Sequence, residues 1–325
     1  MKGMTERKIK LTLENYATQH RNGKIFKVSE KMLNDKMPLF RPKEYFRVAT
    51  VKEATGLLRK YGEAAAVLAG GTDLLVAKPP HVDYIVDISR LPLSYVESDA
   101  RGIRIGALTP LNDIAESPRL RDEPYDVIAK SSLEMGTPLT KNFATIGGNL
   151  CNAAPSADMA PPLIALDAEA RITGPAGRRK VLVEEFFAGP KKTVLKKGEI
   201  LTEIFVPRAP TRTGAAFMKK GRTSEDIAQV NAAVRLTVSG GTCRAARVVL
   251  GAVAPTPMRA RGAEAMLQGK ELGEVSGMVE PVSEKAAEET RPITDIRASA
   301  EYRRAIAKVL TKRALLSVLD RFGGS

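Results

Sequence analysis

Val67-Leu68-Ala69-Gly70-Gly71-Thr72-Asp73-Leu74-Leu75 and, further along, Thr145-Ile146-Gly147-Gly148-Asn149-Leu150 decide how this chain is read. Each joins apolar residues of strand character to a Gly-Gly step and then a small polar residue. Glycine lacks Cβ, so its backbone reaches conformations and close approaches that other residues cannot. Successive free N–H groups in such a turn form a concavity that binds phosphate oxygens. One such turn is a weak signal; two in one chain point to a long, doubly phosphorylated ligand such as a dinucleotide. Taken alone, Gly70-Gly71 reads equally well as a plain tight turn, and Asp73 as a helix cap.

Around the first pair, Thr50 with Glu53 three residues later makes a capping box. Ala54, Leu57, Leu58 and Tyr61 follow at helical spacing, and Gly62 stops the helix. Ala65 to Ala69 reads as a short buried strand and Tyr84 to Ile88 as another, so the stretch from Pro42 to Leu91 reads as a small β-α-β subdomain. Ile103–Ala107 predicts a strand, Leu111–Ala115 a short helix and Tyr125–Met135 a buried helix ahead of the second pair. Pro207 to Gly214 reads as a linker. Beyond it, Gly214–Lys220, Ala232–Ser239 and Ala246–Val253 predict strands, Arg261–Leu267 a helix and Tyr302–Phe322 a C-terminal helix. The expected organisation is a basic extension over 1–37, a binding domain over 38–207 (subdomains about 38–95 and 96–207) and a C-terminal domain over 214–325. The last is an antiparallel sheet with helices on one face, which makes the fold class α+β.

The 325 residues suffice for two or three cores, and 43% hydrophobic with 27% charged residues is ordinary for a globular chain. No apolar run is long enough to span a bilayer, and the charged stretch after Met1 is no secretory signal; a cytoplasmic protein is expected. Cys151 and Cys243 are the only thiols and His20 and His81 the only imidazoles. They cannot supply the ligands of an iron–sulfur cluster or a structural zinc, nor a nucleophile–base pair, so no metal and no catalytic side chain is expected. Redox chemistry, if present, must come from a cofactor. The net charge of +14 admits a nucleic-acid partner, but 5% aromatics without tryptophan speak against a base-stacking platform, and a solvated basic surface is the default.

Five runs occur in a telling order: VLAGGTDLLV (67–76), TIGGNLCNAAPSADMAPPLIALDAEARI (145–172), GEILTEIFVP (198–207), AFMKKGRTSEDIAQVNAAVRL (216–236) and YRRAIAKVLTKRAL (302–315). Together they resemble the FAD-binding medium subunit of the molybdenum hydroxylases. That family includes xanthine dehydrogenase, aerobic-type carbon monoxide dehydrogenase and hydroxybenzoyl-CoA reductase. The resemblance runs from about Pro38 to Phe322. It implies a two-subdomain α/β FAD domain of the PCMH type, followed by the C-terminal domain, with the flavin between them. Carried over residue by residue, it implies that Leu68, Ala69, Gly70, Gly71, Thr72, Asp73 and Leu74 wrap the diphosphate with main-chain amides. Gly136, Thr145, Ile146, Gly147, Gly148 and Asn149 would line the diphosphate and ribityl side. Asp158 would hold a hydroxyl or ring edge, Leu201 would pack on the cofactor, and Lys219 would bring positive charge near the isoalloxazine. Bland alternatives stay open: Met218 in the place of Lys219, a solvated Lys219-Lys220 pair, Asp158 as a turn residue, and Cys151 as simple packing.

The resemblance further implies a molybdopterin-containing large subunit and a [2Fe-2S] small subunit as partners, a dimer of heterotrimers, and NAD or another acceptor for the electrons. No nucleic acid enters this reading. The cysteine-bearing insertion that serves an extra cluster in hydroxybenzoyl-CoA reductases has no counterpart here, which favours hydroxylase electron flow. The alternative is a standalone flavin oxidoreductase acting directly on a small molecule.

Overall fold

The computed structural model describes residues 40–323; the basic extension expected over 1–37 lies outside them. The first layer is β1 (Glu44–Arg47), α1 (Val51–Tyr61), β2 (Ala65–Leu68), the one-turn helix α2 (Leu74–Ala77) and β3 (Tyr84–Asp87). The strands pair in parallel in the order β1-β3-β2. Thr50 Oγ1 accepts the Glu53 N–H at 3.1 Å, and the Glu53 carboxylate reaches past the cap to the Ala49 N–H at 2.9 Å. Gly62 ends α1 with φ +57°. The strand at Ala65–Leu68 forms, but it is half-exposed rather than buried, because it lies at the edge of a three-stranded sheet. β1 escapes sequence reading because Glu44-Tyr45-Phe46-Arg47 is a largely exposed edge strand with no apolar alternation.

The second layer runs through β4 (Val96–Asp99), β5 (Gly102–Gly106), α3 (Leu111–Glu116), α4 (Asp126–Leu133), α5 (Pro138–Phe143), α6 (Ile146–Cys151), α7 (Ala160–Ala165), β6 (Glu169–Gly174), β7 (Gly177–Leu182), the ribbon β8 (Phe187–Gly189) and β9 (Lys192–Thr193), and β10 (Ile200–Pro207). Its sheet is antiparallel, order β4-β5-β10-β6-β7. Ile105, Ile172 and Ile204 on its inner face meet Leu111, Ile114, Ile128, Ile146, Leu150 and Leu163 from the helices in one core. Each fully buried side chain of this size contributes about 1.5–3 kcal/mol over leaving it exposed.

Past the segment after Pro207, β11 (Thr213–Lys220), β12 (Val230–Ser239), β13 (Thr242–Gly251) and β14 (Met258–Arg259) form an antiparallel sheet in sequence order. Four helices follow: α8 (Arg261–Leu267), α9 (Leu272–Gly277), α10 (Val279–Glu288) and α11 (Ala300–Gly323). Alternate residues of each strand serve different cores. Ala216, Val234 and Val248 face Ala307, Leu310 and Leu315 of α11, whereas Ala215, Phe217, Ala233 and Val249 join the core of the second layer. The C-terminal helices therefore occupy one face, and α4 and α7 cover the other. Arg235 (2.7 Å) and Arg247 (2.8 Å) clasp Asp167 across the junction. Among the described residues, no helix is long and apolar enough to cross a membrane.

Candidate functional site

The first Gly-Gly step hangs from the end of β2, where Leu68 stands in register with Asp87 and its carbonyl accepts from Ile88. Gly71 has φ +75°, a region that favours glycine. The main-chain N–H groups of Ala69, Gly70, Gly71, Thr72 and Asp73 have no acceptor among the described residues. Five consecutive half-buried or exposed amides thus stay available to an outside anion, and the turn of α2 adds the positive end of its own peptide dipoles.

The second step is built differently. Thr145 caps α6, its Oγ1 accepting from Gly148 N at 3.0 Å. Ile146 N donates to Thr109 O, Gly147 N to Ala107 O at 2.9 Å and Asn149 N to Thr145 O at 2.9 Å. The expectation of two free-amide turns therefore holds only for the first, because Ile146–Asn149 have spent their amides inside the chain. Glycine is needed here for proximity: a Cβ on Gly147 would lie 2.6 Å from Ala107 O.

The structure brings the two segments together. A Cβ on Gly70 would fall 1.6 Å from Phe143 O, so the first loop lies directly on the backbone that leads into α6. Asn152 Nδ2 donates to Asp73 Oδ1 (2.8 Å) and Lys191 Nζ donates to Asn152 Oδ1 (2.7 Å), closing the seam. Leu201 is buried in β10 beside Thr202, whose carbonyl accepts from Ala107, the residue under Gly147. Gly136, at φ +50°, sits just after Met135, whose sulfur is 4.0 Å from Asn149 Nδ2.

Asp158 and Lys219 meet in a buried ion pair of 2.9 Å, their side chains 5% and 3% exposed. Lys219 Nζ also donates to Glu134 O at 2.6 Å, and Asn231 Nδ2 donates to Asp158 Oδ1 at 2.6 Å. Burial pushes the Asp158 carboxyl up, and the bonds from Lys219 and Asn231 oppose that rise. Burial likewise raises the Glu134 carboxyl, with Lys219 pulling the other way. Sequence reasoning missed Asn231 and Glu134; Asn231 lies in the 216–236 run, but its bond to Asp158 spans 73 residues. Cys151 is partly buried on α6 and burial pushes its thiol up to about 12, so it stays protonated.

The donor and acceptor chemistry of these groups suits FAD. Five free amides suit a diphosphate. Among the described residues, Asn149 Oδ1 and Asn231 Oδ1 are buried acceptors without a donor, and the Lys219 ammonium has three donors with only two partners. Spare donors and acceptors of this kind match hydroxyls and the alternating carbonyl and N–H edge of a flavin. A cleft of about 500 Å³ on the solvent face of the five-stranded sheet, lined by Tyr95, Arg104, Arg171 and Arg179 among others, holds none of the expected residues. Among the described residues, no group of three or more His, Cys, Asp or Glu is placed to hold a metal ion.

Residues 39–209 match the family model of the FAD binding domain in molybdopterin dehydrogenase, and 215–318 that of the CO dehydrogenase flavoprotein C-terminal domain. The carbon monoxide dehydrogenase medium chain of Hydrogenophaga pseudoflava is 34% identical over 279 residues, 84% of this chain and 95% of the relative. The xanthine dehydrogenase FAD-binding subunit of Escherichia coli O157:H7 is 34% identical over 293 residues, 86% and 97%. A solved Hydrogenophaga pseudoflava carbon monoxide dehydrogenase chain superposes with TM-score 0.81, covering 86% of this chain and 98% of that one. A chain of quinoline 2-oxidoreductase from Pseudomonas putida 86 superposes at 0.78 with 29% identity, covering 88% and 98%. The α+β architecture, the free-amide turn and these matches agree: the chain belongs to the FAD-binding medium-subunit family of the molybdopterin dehydrogenases and is an oxidoreductase flavoprotein that carries FAD.

Proposed function

We propose that this chain is the electron-transferring FAD subunit of a heteromeric molybdenum hydroxylase of the cytoplasm. It would stand beside a molybdopterin-bearing large subunit and a [2Fe-2S] small subunit in a dimer of heterotrimers. The observation that carries the reading is the run of free amides from Ala69 to Asp73, set against a buried Asp158–Lys219 pair in the same chain. FAD, when bound, supplies the redox chemistry, taking electrons from the clusters and handing them to NAD or another acceptor.

The chain's own residues bind and orient. The amides of Ala69–Asp73 donate to the diphosphate, and the wall formed by Thr145–Asn149 fixes where that loop stands. Lys219 contributes positive charge that favours negative charge on the ring, while Asp158 holds the ammonium in place. The two buried charged side chains of the site, Asp158 and Lys219, are paired with each other, which supports chemistry on a substrate held by another subunit over the standalone alternative. The names of the relatives, medium chain and FAD-binding subunit, support the same reading.

Co-expression with candidate large and small subunits tests it. The expected result is a complex with flavin absorbance, iron and molybdenum, whose flavin bleaches when the large subunit's substrate is added. A chain that shows no flavin bands after saturation with FAD would overturn the reading, as would one that turns over a small molecule unaided. NAD as acceptor is checked by NADH formation in the same assay.

A further inference from the structure

Asn231 is fully buried in β12, directly opposite Gly251 of β13. A Cβ on Gly251 would lie 2.1 Å from Asn231 Oδ1 and 3.3 Å from Pro161 Cγ, so the amide lies over the bare glycine and is turned toward Asp158. Its orientation is fixed, since a carboxylate accepts and only Nδ2 can donate to it. The charged groups facing Asp158 are Lys219 from β11 and Glu134 at the end of α4. Of these only Lys219 bonds to it. Among the described residues, Asn231 is thus the one neutral donor to a carboxylate taken almost wholly out of water.

We propose that Asn231 is a positioning residue of the flavin site: its amide keeps the buried Asp158 carboxylate ionised and seated on Lys219, and so fixes the net charge that the cofactor ring meets. The proposal rests on the reading that Lys219 lies beside that ring. A hydrogen bond to the charged form favours the charged form, and its removal lets burial dominate. Without the Asn231 donor, Asp158 takes up a proton at higher pH than in the wild-type site. The site then changes from a neutral pair to a net positive Lys219, which favours electrons on the ring.

The test is the flavin midpoint potential as a function of pH, measured on the FAD-loaded chain in its complex. N231L removes the donor. G251A keeps Asn231 but puts a methyl where its amide lies, forcing the side chain off Asp158. N231T restores a hydroxyl donor, and D158N removes the titrating group. The expected result is that N231L and G251A rise above wild type as pH falls and rejoin it at alkaline pH, while N231T follows wild type. A constant offset at all pH values, which a merely structural effect produces, overturns the proposal, and so do curves that coincide with wild type. If D158N leaves potential and absorption spectrum unchanged at every pH, the reading that the pair adjoins the ring has failed instead. A shifted D158N with unshifted N231L and G251A removes the role of Asn231 alone.

Discussion

At Gly70-Gly71 five successive N–H groups find no acceptor within the described chain, whereas at Gly147-Gly148 the four from Ile146 to Asn149 are all taken, by Thr109, Ala107 and Thr145. The same dipeptide thus serves two purposes. In the first loop the missing side chains leave amides open and let the strand turn onto Phe143. In the second they let a helix start against Ala107, deep in an apolar core where Ile146 and Leu150 are fully buried. One loop offers donors; the other is the wall that keeps them in place.

The largest expected effect comes from closing the space between the two. G70A would set a Cβ 1.6 Å from the Phe143 carbonyl oxygen, a main-chain atom that no rotamer change can move. The seam must open, and FAD affinity is expected to fall at least ~100-fold, about 2.7 kcal/mol. Titration of the flavin-free chain by flavin fluorescence measures it; wild-type affinity in G70A would mean that the free amides are not the binding element. G147A comes next. Its methyl meets Ala107 O at 2.6 Å and Ala107 Cβ at 2.7 Å, an overpacking of about 1–3 kcal/mol. The melting temperature should drop and FAD affinity should follow stability only. A loss of affinity at unchanged melting temperature would place the second loop in contact with the ligand and erase the distinction.

How far this contrast was legible depends on the range of the interactions. The N-cap at Thr50, the stop at Gly62, the helix at Arg261–Leu267 and the long strands of the C-terminal sheet follow from local pattern, and the structure has them; of the capping box only the Thr50 half forms, because the Glu53 carboxylate bonds to Ala49 N instead of Thr50 N. The amide accounting does not follow, because the acceptors for Ile146 and Gly147 lie on Thr109 and Ala107, in another segment. Asn231 and Asp158 meet only because β12 packs on α7. β1 was hidden for a different reason: its side chains are largely exposed, so it lacks the alternation that marks a half-buried strand.

The anchors of the two loops also differ, and acid separates them. The first loop depends on β3, where burial would raise the Asp87 carboxyl, yet hydrogen bonds from Tyr45, Ser89 and Arg47 outweigh it and hold it down to about 2. A folded-state value below that of the unfolded chain stabilises the fold above about pH 4 and loses that contribution as pH falls toward 2, roughly 2 kcal/mol in all. The second loop is anchored by apolar packing that does not titrate. Hydrogen exchange between pH 5 and 2.5 should therefore show the bonded amides that flank β3, Val48 (to Asp87 O) and Ile88 (to Leu68 O), opening before those of Ile146, Gly147 and Asn149, and D87N should bring the same order forward to neutral pH. Simultaneous opening of both segments would mean that the seam, not β3, carries the first loop.

The smallest effect is the most discriminating. Thr145 caps α6 through Oγ1, so T145A should cost about 1 kcal/mol and lower the melting temperature by about 2–4 °C, with T145S restoring it. The Thr72 side chain has no hydrogen-bond partner among the described residues, and T72A should stay within about 0.5 kcal/mol of wild type. T145A also does something to the comparison itself: it releases the Gly148 N–H and gives the second loop a spare donor beside the first. If the second loop is only a wall, FAD affinity in T145A holds or falls slightly with stability. If it touches the diphosphate, the released amide strengthens binding while the melting temperature of the flavin-free chain drops. Opposite movement of the two readouts would show that both Gly-Gly steps face the ligand and that the cap at Thr145 was holding one donor back.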